Sequence, residues 1–309
     1  MDNTALARAM WLRAIRVGLL AVLGVFALAT LTGTIGSIRA GVVSNALLIA
    51  LPLAAAACCA WRAVSESGRR RHSWGFIGAA ALSWGLGQSI WTYYEQVLHR
   101  EVPFPSTADI GYLGFIPLVL IGLVLMPYAE LTLATRMRML LDGLVIGVAI
   151  LLVSWELILQ PTLNGATDGP LAEAISFAYP VGDSVAITLA LVIVARARHG
   201  TEVRMMTILT LAAGIMAFGV GDTGFLVQTQ NGTYASGNTI DLGWAAGFTL
   251  IAIAATIGGS TGNGTPSRHT QRLSLLAPYG AVVVGLVVIG VRLAIGTSPN
   301  LVRSALLVG

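Results

Sequence analysis

Three carboxylates, Glu156, Asp183 and Asp222, sit within apolar runs of this chain. An ionised carboxylate in hydrocarbon is costly unless water, a hydrogen-bond donor or an opposite charge meets it. Such groups either bind and relay ions and protons or hold helices together through buried polar contacts. Both readings stay open for these three. Helical spacing adds further polar residues around them. Trp84, Gln88, Trp91 and Glu95 follow at steps of four, three and four, which puts them on one helix face. Ser176, Tyr179 and Asp183 share a second face. Pro180 lies beside them and frees a backbone carbonyl that a neighbour must satisfy. Arg292, near the end of a later run, is the cation suited to pair with one of the acids. The candidate ligand-binding residues are therefore Gln88, Trp91, Glu95, Glu156, Tyr179, Asp183, Asp222 and Arg292. The expected ligand is a small molecule or ion of unknown identity.

No catalytic constellation accompanies them. The four histidines, His72, His99, His199 and His269, form no metal-ligand spacing such as His-Glu-x-x-His, and there is no nucleophile elbow or Walker loop. Cys58 and Cys59 are adjacent within an apolar run and read as small packing residues. The sequence nominates no metal, no cofactor and no catalytic residue.

The elements that must position these side chains are membrane spans. Hydrophobic residues make up 56% of the 309 and charged residues 10%, far below the roughly one quarter charged of a soluble domain. The expected fold is all-α, a polytopic membrane helix bundle. Spans of about 20 residues are expected at 15–36, 41–61, 74–95, 109–128, 139–160, 172–195, 205–228, 240–258, 275–296 and from 300 onward. All 18 basic residues are arginines, and they lie between spans, so topology explains the pI near 9.4 and no nucleic-acid partner is implied. Fourteen of the arginines fall in one set of loops, from Arg8, Arg13 and Arg16 through Arg69, Arg70 and Arg71 to Arg268 and Arg272. By the positive-inside rule the N-terminus is cytoplasmic and the first span is a retained helix in the plasma membrane. The chain ends at Leu306-Leu307-Val308-Gly309 inside an apolar run. The expectation is a fragment whose continuation emerges in the cytoplasm.

Spans three to eight read as three tandem helix hairpins, roughly 74–138, 139–204 and 205–258. The outward helices end at Glu95, Glu156 and Asp222, and the returning helices open at Asp109, Glu173 and Asp241. Ser106-Thr107-Ala108-Asp109 has the form of a capping box, and Asn238-Thr239-Ile240-Asp241 is expected to be the same device. The copies run in one sense, unlike the inverted repeats of many transporters.

The segments Pro103-Phe104-Pro105-Ser106-Thr107-Ala108-Asp109, Tyr112-Leu113 and Pro117-Leu118 resemble one known pattern. So do Ala178-Tyr179-Pro180-Val181-Gly182-Asp183 and Gly237-Asn238-Thr239-Ile240-Asp241-Leu242-Gly243-Trp244. Across about residues 75–255 the chain is similar to the N-terminal membrane region of actinobacterial cyclic-di-GMP signalling proteins of the multi-pass GGDEF/EAL type. The resemblance implies a sensory input domain, homodimerisation, and cyclic-di-GMP synthesis or hydrolysis by cytoplasmic domains outside this chain. Neither a GGDEF nor an EAL motif is present, so no catalytic residue carries over. A small-molecule or ion transporter using the same carboxylates, and a passive membrane anchor, are the alternatives.

Overall fold

The computed structural model describes residues 3–33, 37–126, 169–197, 202–230 and 232–257. They form α1 (Asn3–Thr32), α2 (Ser37–Ser65), α3 (Gly68–Thr92), α4 (Thr107–Leu125), α5 (Pro170–Ala197), α6 (Glu202–Gln230) and α7 (Asp241–Thr256). No strand occurs among the described residues. The expected spans at 139–160, 275–296 and from 300 onward lie outside them.

Five helices are long and apolar enough to cross a membrane: Leu6–Thr32, Arg39–Ser65, Thr107–Leu125, Pro170–Val194 and Met205–Thr229. The expected spans at 74–95 and 240–258 differ from these. Helix α3 has the length, 25 residues, but its apolar content is diluted by Ser73, Ser83, Gln88 and a run of glycines. Helix α7 has only 16 residues, a rise of about 24 Å, and it is the most enclosed. Ala245, Phe248, Ile251, Ala252, Ala254 and Ala255 are all fully buried. Both helices face other helices more than they face the outside.

The helices close into a ring. Helix α3 packs between α2 and α4, α4 meets α5, α5 packs on α6, α6 on α7, and α7 on α2. Helix α1 lies outside the ring against α7. The outer faces are greasy, with Trp11, Val25, Leu86, Ile110, Val124 and Val185 exposed, while Ser44, Asn45, Gln88, Asp109, Asp183 and Asp241 are buried. This distribution suits a bundle whose surroundings are lipid rather than water.

Glycine permits the closest crossings. A Cβ on Gly111 would lie 2.5 Å from the Gly87 nitrogen, and one on Gly243 would lie 2.7 Å from the Gly221 Cα. Small residues let backbones approach where helices gain nothing from excluding water. Hydroxyls fasten the first crossing, with Ser83 Oγ donating to the Gly111 carbonyl at 2.8 Å and Ser73 Oγ to the Gly122 carbonyl at 2.7 Å. Between the helices runs a column of rings. Trp84 stands 4.9 Å from Phe248, 5.8 Å from Trp244 and 6.0 Å from Phe218, and Phe115 stacks on Phe218 at 4.3 Å.

The two ends of the bundle differ in charge. At one end Arg8 lies over the Trp61 ring at 5.0 Å. There Arg62 donates to the Ile257 carbonyl at the end of α7 at 2.9 Å and pairs with Glu66 at 2.9 Å. Glu95, Asp109 and Asp241 gather at the other end, each in hydrogen-bond contact with a neighbouring helix or loop.

Gly111→Ala and Gly243→Ala are each expected to destabilise the bundle by about 1–3 kcal/mol, because the new methyl meets backbone that cannot yield. Gly75, whose Cβ would meet nothing within 4 Å, is the control. Gly75→Ala should be neutral or stabilising by up to about 1 kcal/mol. Thermal unfolding in detergent distinguishes the two outcomes.

Candidate functional site

The acidic end is built by α2, α3, α4, α5, α6, α7 and the loop that leads into α7. Its centre is Asn45 on α2, 1% exposed. The Asn45 Oδ1 accepts from Gln88 Nε2 at 2.8 Å, and its Nδ2 donates to Glu95 Oε2 at 2.7 Å. The Tyr112 hydroxyl donates to Gln88 Oε1 at 2.7 Å, and Ser236 Oγ donates to Glu95 Oε2 at 2.8 Å. A continuous chain therefore runs from Tyr112 through Gln88, Asn45 and Glu95 to Ser236. The turn that follows α3, Tyr93–Val97, is widened, with the Leu98 N–H reaching the Tyr93 carbonyl at 3.0 Å. Glu95 stays on the side of Gln88, and both reach Asn45.

Beside this chain stand two helix-opening acids. Asp109 completes the expected capping box: it accepts the Ser106 N–H at 2.7 Å, and Ser106 Oγ accepts the Ala108 N–H at 3.2 Å. Its other oxygen accepts from the Tyr179 hydroxyl at 2.6 Å, which ties α4 to α5. The second expected box does not form. Asp241 reaches back to the Gly237 N–H at 2.7 Å. The Asn238 side chain makes no cap and instead accepts from Thr239 Oγ1 at 3.0 Å and Gln228 Nε2 at 3.5 Å. Asp241 also accepts hydrogen bonds from Ser44 on α2 and from the Tyr234 hydroxyl.

A third group lies deeper. Asp222 accepts from Trp244 Nε1 at 2.5 Å, and the Asp183 side chain of α5 lies beside it. Ionised carboxylates carry only acceptors, so a hydrogen bond between the two requires a proton on one of them. An aromatic cap covers it toward the acidic end. Phe225 stands 5.7 Å from Trp244, 4.7 Å from Tyr234 and 5.9 Å from Trp91.

The expected site residues fall into place unevenly. Gln88 and Glu95 meet in one network, with Trp91 beside them in the aromatic cap. Asp183 and Asp222 meet in the deeper pair, while Tyr179 joins Asp109. Glu156 and Arg292 lie outside the described residues. The expected alignment of Glu95 with Asp222 shifts. Asp222 follows Gly221 and receives an indole N–H from the adjacent helix, as Gln88 follows Gly87 and receives a phenolic O–H. Glu95 lies two turns beyond Gln88. Ser44, Asn45, Tyr112, Tyr234 and Ser236 were not among the expected residues. An asparagine inside an apolar run needs a partner as a carboxylate does, and the run Val42-Val43-Ser44-Asn45-Ala46-Leu47 carries that signal.

Tyr234, in the loop before α7, has its phenol pushed well above the usual range by burial, with the Asp241 charge adding to the effect. A raised phenol contributes stability that is complete below about pH 10, the ordinary value, and is lost as pH rises beyond it. Tyr234→Phe should therefore be less alkali-sensitive than wild type above about pH 10, measured as the loss of helical signal in detergent.

Comparison with protein-family models, with curated proteins and with solved structures finds no match for this chain.

Proposed function

We propose that this chain is the membrane-embedded sensory domain of a signalling protein, with its arginine-rich end in the cytoplasm and its acidic end outside. On this reading it crosses the plasma membrane ten times. The observation that carries it is the position of Glu95. One carboxylate oxygen there is shared by Asn45 of α2 and Ser236 of the α6–α7 loop, so three separate elements meet at one exchangeable acceptor. A signal that takes the place of either donor changes the packing of those elements. It acts through its differential affinity for the two arrangements. Helix α7 would carry the change to the cytoplasmic side, where Arg62 holds its last carbonyl. The output, cyclic-di-GMP synthesis or hydrolysis by domains not contained in this chain, rests on the resemblance of the segments around Asp109, Asp183 and Asp241 to that signalling family.

The test places Asn45→Leu, Glu95→Gln and Asp183→Asn in the native locus and measures cellular cyclic di-GMP at matched membrane abundance. The expected change is about fivefold or more, the low end of coupling between sites. Wild-type levels in all three well-inserted variants would sink the reading.

The pairing of Asp183 with Asp222 favours one second reading, a transporter coupled to protons or cations. Against it, the axis is filled by Trp84, Phe115, Phe218 and Phe248, and a path along it requires those rings to move. Vesicles containing the chain under an imposed pH or sodium gradient separate the two. The sensor reading expects flux equal to that of empty vesicles, and a transporter gives flux that Asp222→Asn removes.

A further inference from the structure

Contacts in one half of the ring recur in the other at a near-constant offset. Gly87 crosses Gly111 as Gly221 crosses Gly243, and the Ser83 carbonyl faces Gly111 as the Ala217 carbonyl faces Gly243. Pro52 of α2 packs on Gly85 as Ile187 of α5 packs on Gly219. Tyr112 donates to Gln88 as Trp244 donates to Asp222. Tyr179 of α5 donates to Asp109 of α4 as Ser44 of α2 donates to Asp241 of α7. The numbering is consistent: 134 residues separate Gly85 from Gly219 and Gly87 from Gly221, 132 separate Asp109 from Asp241, and 135 separate Ser44 from Tyr179 and Pro52 from Ile187. The packing order agrees, because α2 to α3 to α4 to α5 repeats as α5 to α6 to α7 to α2.

We infer that helices α2 to α7 are two copies of one three-helix unit, α2–α3–α4 and α5–α6–α7, joined at two equivalent seams, each latched at the acidic end by a hydroxyl-to-carboxylate hydrogen bond, with Ser236 to Glu95 as a further bond between the units on the α7–α2 side. This regroups the expected hairpins: α3–α4 and α6–α7 remain copies, and each gains the helix before it. The latches are Tyr179 to Asp109 at the α4–α5 seam and Ser44 to Asp241 at the α7–α2 seam. The acids do two jobs. Each takes a backbone N–H at the start of its own helix, and each takes a hydroxyl from the other unit. Within a unit, backbone meets backbone where Gly87 crosses Gly111 and Gly221 crosses Gly243, and glycine also gives close contact at the seams, Gly182 against Ile116 and Gly237 against Ala40. Across a seam the polar latch is the contact that a change at the acidic end opens first, so the units rock as bodies about the aromatic axis. The inference deepens the sensor reading by naming what moves.

The test measures the seams rather than the signal, so its failure leaves the signalling experiment to decide the sensor reading. Hydrogen–deuterium exchange is followed on the whole chain in nanodiscs for wild type, Tyr179→Phe and Ser44→Ala. Loss of one hydrogen bond to a charged acceptor should speed exchange about tenfold. Tyr179→Phe should do so in residues 107–112, and Ser44→Ala in residues 237–244, each leaving the other seam at the wild-type rate. Ser83→Ala, which removes a bond within a unit, should change neither seam. Exchange that is unaltered in both variants, or faster evenly over all helices, overturns the latches. A crosslink makes the result independent of those variants. A Cβ on Gly41 would lie 3.7 Å from the Ser236 Cβ, within disulfide reach. Gly41→Cys with Ser236→Cys, on a background of Cys58→Ala and Cys59→Ala, should oxidise readily and slow exchange in residues 237–244. Failure to form that bond overturns the α7–α2 seam.

Discussion

A polar side chain surrounded by hydrocarbon must find its partner inside the protein, and the arrangement of the acidic end follows from that constraint. Asn45 is the clearest case. Its amide can accept and donate, and both functions are used, the first by Gln88 and the second by Glu95. Gln88 in turn needs a donor for its own oxygen and finds the Tyr112 hydroxyl on α4. Satisfying one buried amide on α2 therefore fixes α2, α3 and α4 relative to one another. The same requirement at Glu95 draws in Ser236 and with it the loop that starts α7. Geometry propagates from helix to helix because each group passes an unmet need to the next.

Packing supplies the second half of the stability. Transmembrane helices gain no hydrophobic free energy by leaving lipid for one another, so contact must come from close fit. Glycine gives that fit where Gly87 meets Gly111 and where Gly221 meets Gly243. Large rings give it along the axis, where Trp84, Phe115, Phe218 and Phe248 interlock with centroids 4.3 to 6.0 Å apart. Small residues at the crossings and large ones in the centre are complementary. Bringing the backbones of α3 and α4 together leaves a wider gap between that pair and α6–α7, and the rings occupy it.

The membrane class, the helix boundaries of α2, α4 and α6, and the polar face of α3 were legible in the sequence because each depends on local pattern. Long apolar runs mark spans, and steps of three and four mark a face. The short helix α7 was placed correctly in the chain, at 240–258, although its 16 residues fall short of a full crossing. The pairing of the acids was less legible. Asp222 was matched with Glu95 because both close an outward helix. Asp222 and Gln88 each follow a glycine at a helix crossing and each accept from a ring on the next helix. An amide and a carboxylate do not look alike in a search for charge, although they occupy the same seat. Asn45 escaped for a related reason: attention to ionisable residues passes over a neutral group that the membrane constrains almost as strongly.

That substitution of amide for acid separates the two halves chemically. Gln88 and Asn45 carry both donors and acceptors, so their contact forms without an added proton, and Tyr112 and Glu95 take up their remaining groups. Asp222 and Asp183 carry acceptors only when ionised, and Trp244 Nε1 supplies one donor to Asp222. A carboxyl pair needs at least one proton to make the same kind of contact.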